Sequence, residues 1–301
     1  MLGQFDDFRE TFEHHGLQGQ PANVTQVMTE DELIATLPEY DGWIIGDDPA
    51  SRRVFQAARA GNLRAAVKWG VGVDNVDFEA CRDLGIPVSN TPGVFGREVA
   101  DVAMCYVLGL ARKTFEIDRA IRQDHTWPKP PGISTWDKTV ALVGFGDIGR
   151  MTAKRLIACD MKVLAYDPYF KPVDGINVEP ATWPERVDEA DFLVFTCPLT
   201  PETRHMFNEA LLARLKPGVH VVNVSRGPVI QESALVRALE EGLVGSAALD
   251  VFEVEPLAAD NPLRHFDNTI FGSHNGSNTL DAVRHVSKLA IQKMAEFLAP
   301  A

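Results

Sequence analysis

The sequence predicts an α/β protein made of two domains, each a doubly wound parallel sheet. Three observations carry this. Short apolar runs of strand length alternate with helix-period segments along most of the chain, the order that lays strands parallel with helices on both faces. The 301 residues are enough for two domains. One strand–turn–helix stretch, Thr139 to Arg150, carries glycines at the spacing of a phosphate-binding turn.

Taken in order, residues 2–16 read as a helix with Leu2, Phe5, Phe8 and Phe12 on one side, and residues 23–28 as a strand. A helix in first place is unusual for an α/β domain, which normally opens on a buried strand. Thr29–Glu32 has the form of a capping box ahead of a short helix over Leu33–Leu37. Strands follow at 43–46 and 64–69, helices at 52–60 and 78–84, with Gly85 as a helix stop. Residues 86–88 lead into Asn90-Thr-Pro-Gly93. A long apolar helix runs from Val94 to about Arg112, too short and too interrupted to cross a membrane. Residues 124–138, with three prolines and two tryptophans, read as an extended arm of the kind that packs on a second subunit. Beyond the glycine turn, strands are predicted at 162–166, 190–197, 219–224, 245–251 and 269–273. Helices are predicted at 208–215, 232–241 and 279–298.

The glycine turn is the most informative stretch. Val140 to Val143 is a run of four apolar residues, as a central strand covered on both faces requires. Gly144 permits a tight turn, Gly146 lets a phosphate approach the backbone, and Gly149 lets the helix pack close to the strand. The helix start offers N–H groups and a positive dipole end to a pyrophosphate. A second strand ends at Asp167, eighteen residues past Gly149, where a carboxylate accepts both ribose hydroxyls of an adenosine. That carboxylate repels a 2′-phosphate, and no Lys or Arg follows before Lys171, so the expected cofactor is NAD.

Composition excludes several classes. The net charge of −13 argues against nucleic acid and anionic membrane as partners. No apolar run has transmembrane length, and no basic-then-apolar signal segment opens the chain. Cys81, Cys105, Cys159 and Cys197 are scattered without metal-like spacing, so no metal is expected and the thiols read as those of a cytoplasmic protein.

Three loops downstream of the glycine turn follow successive strands and carry Arg226, Glu255 and His274. Carboxyl ends of strands converge on the ligand crevice of an open parallel sheet. An arginine fork suits a carboxylate and polarises a neighbouring carbonyl. A histidine passes a proton to or from the oxygen, and a glutamate beside it orients the ring and favours its charged form. Singly, each has a plainer reading as a surface or loop residue; their shared placement beyond a nucleotide turn argues for a hydride-transfer site.

The motifs Gly70-Val-Gly72-Val-Asp74-Asn75-Val-Asp77, Asn90-Thr-Pro-Gly93, Gly144-Phe-Gly146-Asp-Ile-Gly149, Asn223-Val-Ser-Arg226-Gly227, Ala248-Leu-Asp250-Val-Phe-Glu-Val-Glu255-Pro256, and His274 with its Gly-Ser-Asn-Thr run resemble one family. It is the NAD-dependent D-2-hydroxyacid dehydrogenases, in particular the phosphoglycerate dehydrogenase-like branch. The resemblance extends from about residue 40 to the end. It implies a flavodoxin-like substrate domain (1–91 plus 276–301) around a Rossmann NAD-binding domain (92–275), a small 2-oxo or 2-hydroxy acid as substrate, and a homodimer. It implies Arg226, Glu255 and His274 as the catalytic set. Gly144, Gly146, Asp147, Ile148, Gly149, Asp167, Thr196, Cys197, Pro198, Thr203, Val224 and Asp250 are the implied cofactor contacts, with Asp250 at the nicotinamide amide. Val71 and Gly72 backbone, Lys68 and Arg226 are implied on the substrate.

The chain departs from the family pattern at several places. The family's first strand has no counterpart in it. Phe95 stands for an asparagine, Asp101 for a glutamate, Ser273 for a proline and Cys197 for a frequent histidine. Asp147 places an acid in the phosphate loop, expected to face the pyrophosphate and weaken cofactor affinity, and Lys68 stands where arginine is frequent. Two other functions share the fold: a nucleotide-sensing co-repressor without turnover, and a formate or phosphite dehydrogenase.

Overall fold

The computed structural model describes residues 2–24 and 27–299. The chain divides into two compact units, residues 1–95 with 278–301 and residues 96–277.

The smaller unit opens with a 3-10 segment (Leu2–Phe8) and α1 (Arg9–His14), in place of one continuous helix. Phe5, Phe8 and Phe12 are buried against Val283 and Ile291 of the C-terminal helix. The strand expected at 23–28 does not form at residues 23, 24, 27 and 28; Thr25 and Gln26 lie outside the described residues. The Met28 N–H bonds instead to the Asp48 carboxylate at 2.8 Å, so this backbone is satisfied by a side chain and not by a neighbouring strand. The capping box is formed, with Thr29 N–H on Glu32 Oε2 at 2.8 Å, and starts α2 (Glu30–Thr36) three residues earlier than the apolar pattern suggests. Then come β1 (Gly42–Ile45), α3 (Arg52–Ala60), β2 (Ala65–Lys68), α4 (Phe78–Leu84) and β3 (Val88–Asn90). The sheet is parallel in the order β1-β2-β3. Trp43, Ile45 and Ala66 pack with the buried side chains of α2, α3 and α4, while Ala65 and Val67 pack with Ala290 and Met294 of the C-terminal helix. Period-2 alternation thus divides each strand between two helical layers.

The larger unit begins with α5 (Gly96–Arg112) and α6 (Thr114–Gln123). No helix is predicted where α6 forms, and α6 buries none of its side chains. The arm at 124–138 contains no strand or helix, and Ile133 N–H ties it to the Ala111 carbonyl at 2.8 Å. β4 (Thr139–Val143), α7 (Asp147–Ala158), β5 (Lys162–Tyr166) and the two-residue β6 (Glu179–Pro180) form the first half of the nucleotide-binding layout. β7 (Phe192–Phe195), α8 (Glu209–Leu212), β8 (Val219–Asn223), α9 (Glu232–Glu240), β9 (Val244–Leu249) and β10 (Thr269–Phe271) form the second. All seven strands are parallel in the order β10-β9-β8-β7-β4-β5-β6. The order reverses between β4 and β7, the switch point at which doubly wound sheets open a crevice. Asp191 fixes the strand starts there: its carboxylate accepts the Thr139 N–H at 2.9 Å and the Lys216 ammonium at 2.7 Å. The chain then returns to the smaller unit as α10 (Leu280–Leu298), capped by Thr279.

Candidate active site

The glycine turn lies at the switch point, between β4 and α7. Gly144 has φ +95°, and a Cβ there would sit 2.7 Å from the Cys197 nitrogen. Gly149 faces the Gly144 carbonyl at a distance that leaves no room for a Cβ. Packing therefore demands these two glycines. Gly146 differs: apart from its chain neighbours, nothing lies within 4 Å of where a Cβ would stand, so the backbone here borders open space. Thr196 holds the turn from the end of β7, its hydroxyl donating to the carbonyls of Val143 (3.1 Å) and Gly144 (3.0 Å). Asp167 accepts the Phe145 N–H at 2.7 Å through Oδ2 and the Tyr169 N–H at 2.8 Å through Oδ1, which aims its carboxylate at the turn.

The other expected cofactor contacts have distinct surroundings. Ile148 is half-buried in the first turn of α7, and Val224 is buried just past β8. The Thr203 hydroxyl closes the 198–203 loop by donating to the Pro198 carbonyl at 2.7 Å. The Cys197 sulfur is 4.0 Å from Met206 Sδ, and burial pushes the thiol up to about 12. It is an uncharged core group at neutral pH, and its backbone borders the turn. The Asp147 carboxylate lies against Gly96, where α5 begins, a position favoured by that helix's dipole.

The chemical residues come together at the carboxyl ends of β8, β9 and β10. After β8, the Asn223 side chain shapes the loop, donating to the Arg226 carbonyl at 3.0 Å and accepting from the Ser225 N–H at 3.0 Å. Arg226 is half-buried, with Nη1 on the Ser225 carbonyl at 2.9 Å. Gly227 lies so close to the Phe252 carbonyl that no side chain fits between the loops after β8 and β9. In the second loop, Phe252 N–H bonds Glu255 Oε1 at 3.0 Å, and Glu255 Oε2 meets His274 Nδ1 at 2.8 Å. Burial raises the Glu255 carboxyl, but the His274 hydrogen bond, the Phe252 N–H and the charges of His274 and Arg226 outweigh it, so its pKa lies below the usual value.

His274 has φ +55°, uncommon for a residue with a side chain. Asp250 maintains that turn. Its carbonyl accepts the His274 N–H at 2.7 Å, and its carboxylate accepts the N–H groups of Asn275 (3.2 Å) and Gly276 (2.8 Å). Tyr106 of α5 donates its hydroxyl to the same carboxylate at 3.4 Å, and Gly272 leaves room for the pair. Burial, with the Asp250 charge behind it, raises the Tyr106 phenol above its ordinary range and keeps it a donor. Sequence reasoning missed Tyr106; its only trace was one polar-tipped residue in an apolar helix.

The remaining expected residues belong to the smaller unit. Val71 and Gly72 are half-buried in the loop after β2. The Lys68 side chain is 3% exposed, with its ammonium bonded to the Gly46 carbonyl and to Asp47 Oδ1 at 3.1 Å. Phe95 is buried with its ring 5.7 Å from that of Trp69. In the larger unit, Asp101 pairs with Arg155 at 2.7 Å and links α5 to α7.

A doubly wound domain with a glycine turn at its switch point, and a His–Glu pair over the same carboxyl edge, defines a nucleotide-dependent oxidoreductase. The family model for the NAD binding domain of D-isomer specific 2-hydroxyacid dehydrogenases matches residues 104–276. A hydroxypyruvate reductase of Thermotoga maritima is 36% identical over 272 residues, 89% of this chain and 88% of that protein. A glyoxylate reductase of Thermofilum pendens is 35% identical over 280 residues, covering 90% and 82%. A solved Thermus thermophilus protein superposes with a TM-score of 0.89 at 30% identity, over 97% of this chain and 93% of the other. The chain belongs to the D-2-hydroxyacid dehydrogenase family and is an NAD-dependent enzyme. The open space at Gly146, the N-terminus of α7 and the Asp167 carboxylate fit that cofactor. No helix among the described residues is long and apolar enough to cross a membrane.

Proposed function

We propose that this enzyme reduces a small 2-oxo acid to the D-2-hydroxy acid, and catalyses the reverse oxidation, with His274 and Glu255 as the acid/base pair and Arg226 on the substrate carboxylate. The observation that carries the reading is the 2.8 Å Glu255–His274 bond at the carboxyl edge of the sheet holding the glycine turn. When bound, NAD(H) supplies the hydride chemistry. In reduction, the imidazolium gives its Nε2 proton to the carbonyl oxygen as the carbonyl carbon gains the hydride. In oxidation, the neutral ring takes the hydroxyl proton. Glu255 fixes the ring through Nδ1 and stabilises its charged form, and Asp250 holds the backbone turn that presents it. Arg226 neutralises the carboxylate and withdraws charge from the carbonyl.

In this reading the larger unit is the NAD domain, with the glycine turn on the pyrophosphate, Asp167 on the ribose, Thr196, Cys197 and Pro198 beside the adenosine, Ile148, Thr203 and Val224 lining the site, and Asp250 at the nicotinamide. The smaller unit is the substrate domain, with the Val71 and Gly72 backbone on the carboxylate. The protein is taken as a cytoplasmic homodimer. What supports the dimer is the apolar surface of α6 and the arm, where Phe115, Ile121, Trp127 and Trp136 are exposed.

The test follows NADH consumption with a panel of 2-oxo acids. His274→Ala is expected to lower kcat by roughly 10²–10⁴-fold and to leave the NADH dissociation constant within about twofold, because the residue lies outside the phosphate turn. A wild-type protein that binds NADH and consumes it with no member of the panel would sink the reading.

A further inference from the structure

A second histidine–glutamate pair lies among the loops that follow β7, β8 and β9. His205 belongs to the first of these loops, Pro228 to the second and Glu253 to the third. The His205 N–H donates to the Pro228 carbonyl at 2.8 Å, and the ring Nε2 meets Glu253 Oε1 at 2.6 Å. A carboxylate only accepts, so Nε2 carries the proton of this bond. His205 has φ +52°, uncommon for a residue with a side chain, and its carbonyl accepts Asn208 Nδ2 at 2.8 Å. Glu253 is also held through its backbone. Its N–H donates to Glu232 Oε1 at 2.6 Å, and Glu232 Oε2 accepts from Asn261 Nδ2 at 3.0 Å. Pro228 stands two residues after Arg226. Glu253 stands between Phe252 and Glu255, whose N–H and carboxylate bond each other at 3.0 Å. One residue of the β7 loop thus holds the Arg226 loop by its backbone and the Glu255 loop by its ring.

We infer that His205 is a positioning residue for the acid/base pair: its bond to Glu253 fixes the 252–255 loop, and so the point from which Glu255 meets His274. This rests on the proposed function, in which Glu255 and His274 are that pair. Burial does little to fix the segment between the two glutamates, because Val254 is 73% exposed. The polar bonds of Glu253 do it instead. The His205 and Glu253 side chains are themselves 42% and 29% exposed, so their bond adds little to global stability and its effect is local. A local effect is enough at this place. The Glu255–His274 contact is one hydrogen bond of 2.8 Å, and a shift of the loop that carries Glu255 releases the ring that it orients.

The experiment compares His205→Asn and His205→Gln in the full chain, with NADH and the 2-oxo acid that the wild type uses fastest. Asparagine tolerates the left-handed backbone but is too short to reach Glu253, whereas the glutamine amide extends as far as the imidazole Nε2. His205→Asn is expected to lower kcat about tenfold, since a misplacement of about 1 Å can cost about 10²-fold. KM and the NADH dissociation constant are expected to stay within about threefold, because the 198–203 loop closes on its own bonds. His205→Gln is expected to restore kcat to within about threefold of wild type. Glu253→Ala should give the loss seen in His205→Asn, and the two together little more, as partners of one contact do. In crystals of His205→Asn grown without cofactor, the Glu255–His274 separation is expected to exceed about 3.5 Å. Melting curves check folding, and if His205→Asn does not fold, Glu253→Ala reads the same bond from its other side. Wild-type kcat in His205→Asn, or equal losses in the asparagine and glutamine variants, would overturn the inference and leave the dehydrogenase reading standing. A wild-type protein that binds NADH and turns over no 2-oxo acid would remove that reading, and the Glu255–His274 separation in the variant then decides whether His205 positions the pair.

Discussion

At the residue scale, the His274–Glu255 pair depends on the groups that hold the His274 turn. Asp250 accepts three backbone N–H groups of one turn, and Tyr106 and Gly272 keep its carboxylate in place. A left-handed residue costs of order 1 kcal/mol or more, and these bonds offset it. Glu255 has its pKa lowered mainly by His274 and Phe252 against the cost of burial. A carboxyl with a lowered folded value favours the native state above its unfolded pKa, and that contribution disappears as pH falls through the folded value. Glu255→Gln is therefore expected to be less stable than wild type at neutral pH, with the difference shrinking below the usual carboxylate range. Denaturant titrations between pH 3 and 7 measure it, and a constant difference across that range would contradict an ionic origin. The same variant is expected to lose roughly 10²-fold in kcat at neutral pH.

At the element scale, the starts of α7 and α5 meet beside the glycine turn. Asp147 opens α7, yet its carboxylate lies against the first turn of α5. It lies one residue from Gly146, in the turn proposed to hold the pyrophosphate. A single charge at such a distance in a largely aqueous setting costs about 1 kcal/mol, so Asp147→Asn should tighten NADH binding about fivefold at low salt. Fluorescence titration at two ionic strengths reads this out: the gain should fade with added salt. Unchanged or weaker binding would mean that α5 already neutralises the acid. The turn itself was legible in the sequence because glycine spacing reports backbone proximity directly. α6 was not, since its Phe115, Ile117, Ala120 and Ile121 are not buried in a core of this chain and the proline-rich arm follows at once. Nor was the two-residue β6, which contains a proline and shows no alternation.

At the scale of the whole molecule, each unit has its own sheet and core, and the smaller one is closed by the last helix of the chain. α10 covers Ala65 and Val67, and Ser287 accepts the Trp69 indole N–H at 3.0 Å. A chain ending at Ser277 should lose native structure in residues 1–95, because one face of the β1-β2-β3 sheet is then exposed to water. The larger unit should keep a cooperative melting transition and NADH binding, since its seven strands and their helices lie within residues 96–277. Limited proteolysis with NADH titration tests this, and a truncated protein resistant over residues 1–95 would contradict it.

The sequence by itself determined the alternation of strands and helices, the glycine turn with Asp167, and the three strand-end residues Arg226, Glu255 and His274. These are local patterns: periodicity, turn chemistry and position after a strand are written in consecutive residues. Only the tertiary structure decided what those residues touch. Tyr106 and Asp250 are 144 positions apart, Lys68 ends β2 while Asp47 lies in the loop after the neighbouring β1, and the Asp147 carboxylate lies against a helix that begins fifty-one residues earlier. Such pairings arise when sheet order and helix packing bring distant segments together, and no local pattern encodes that order.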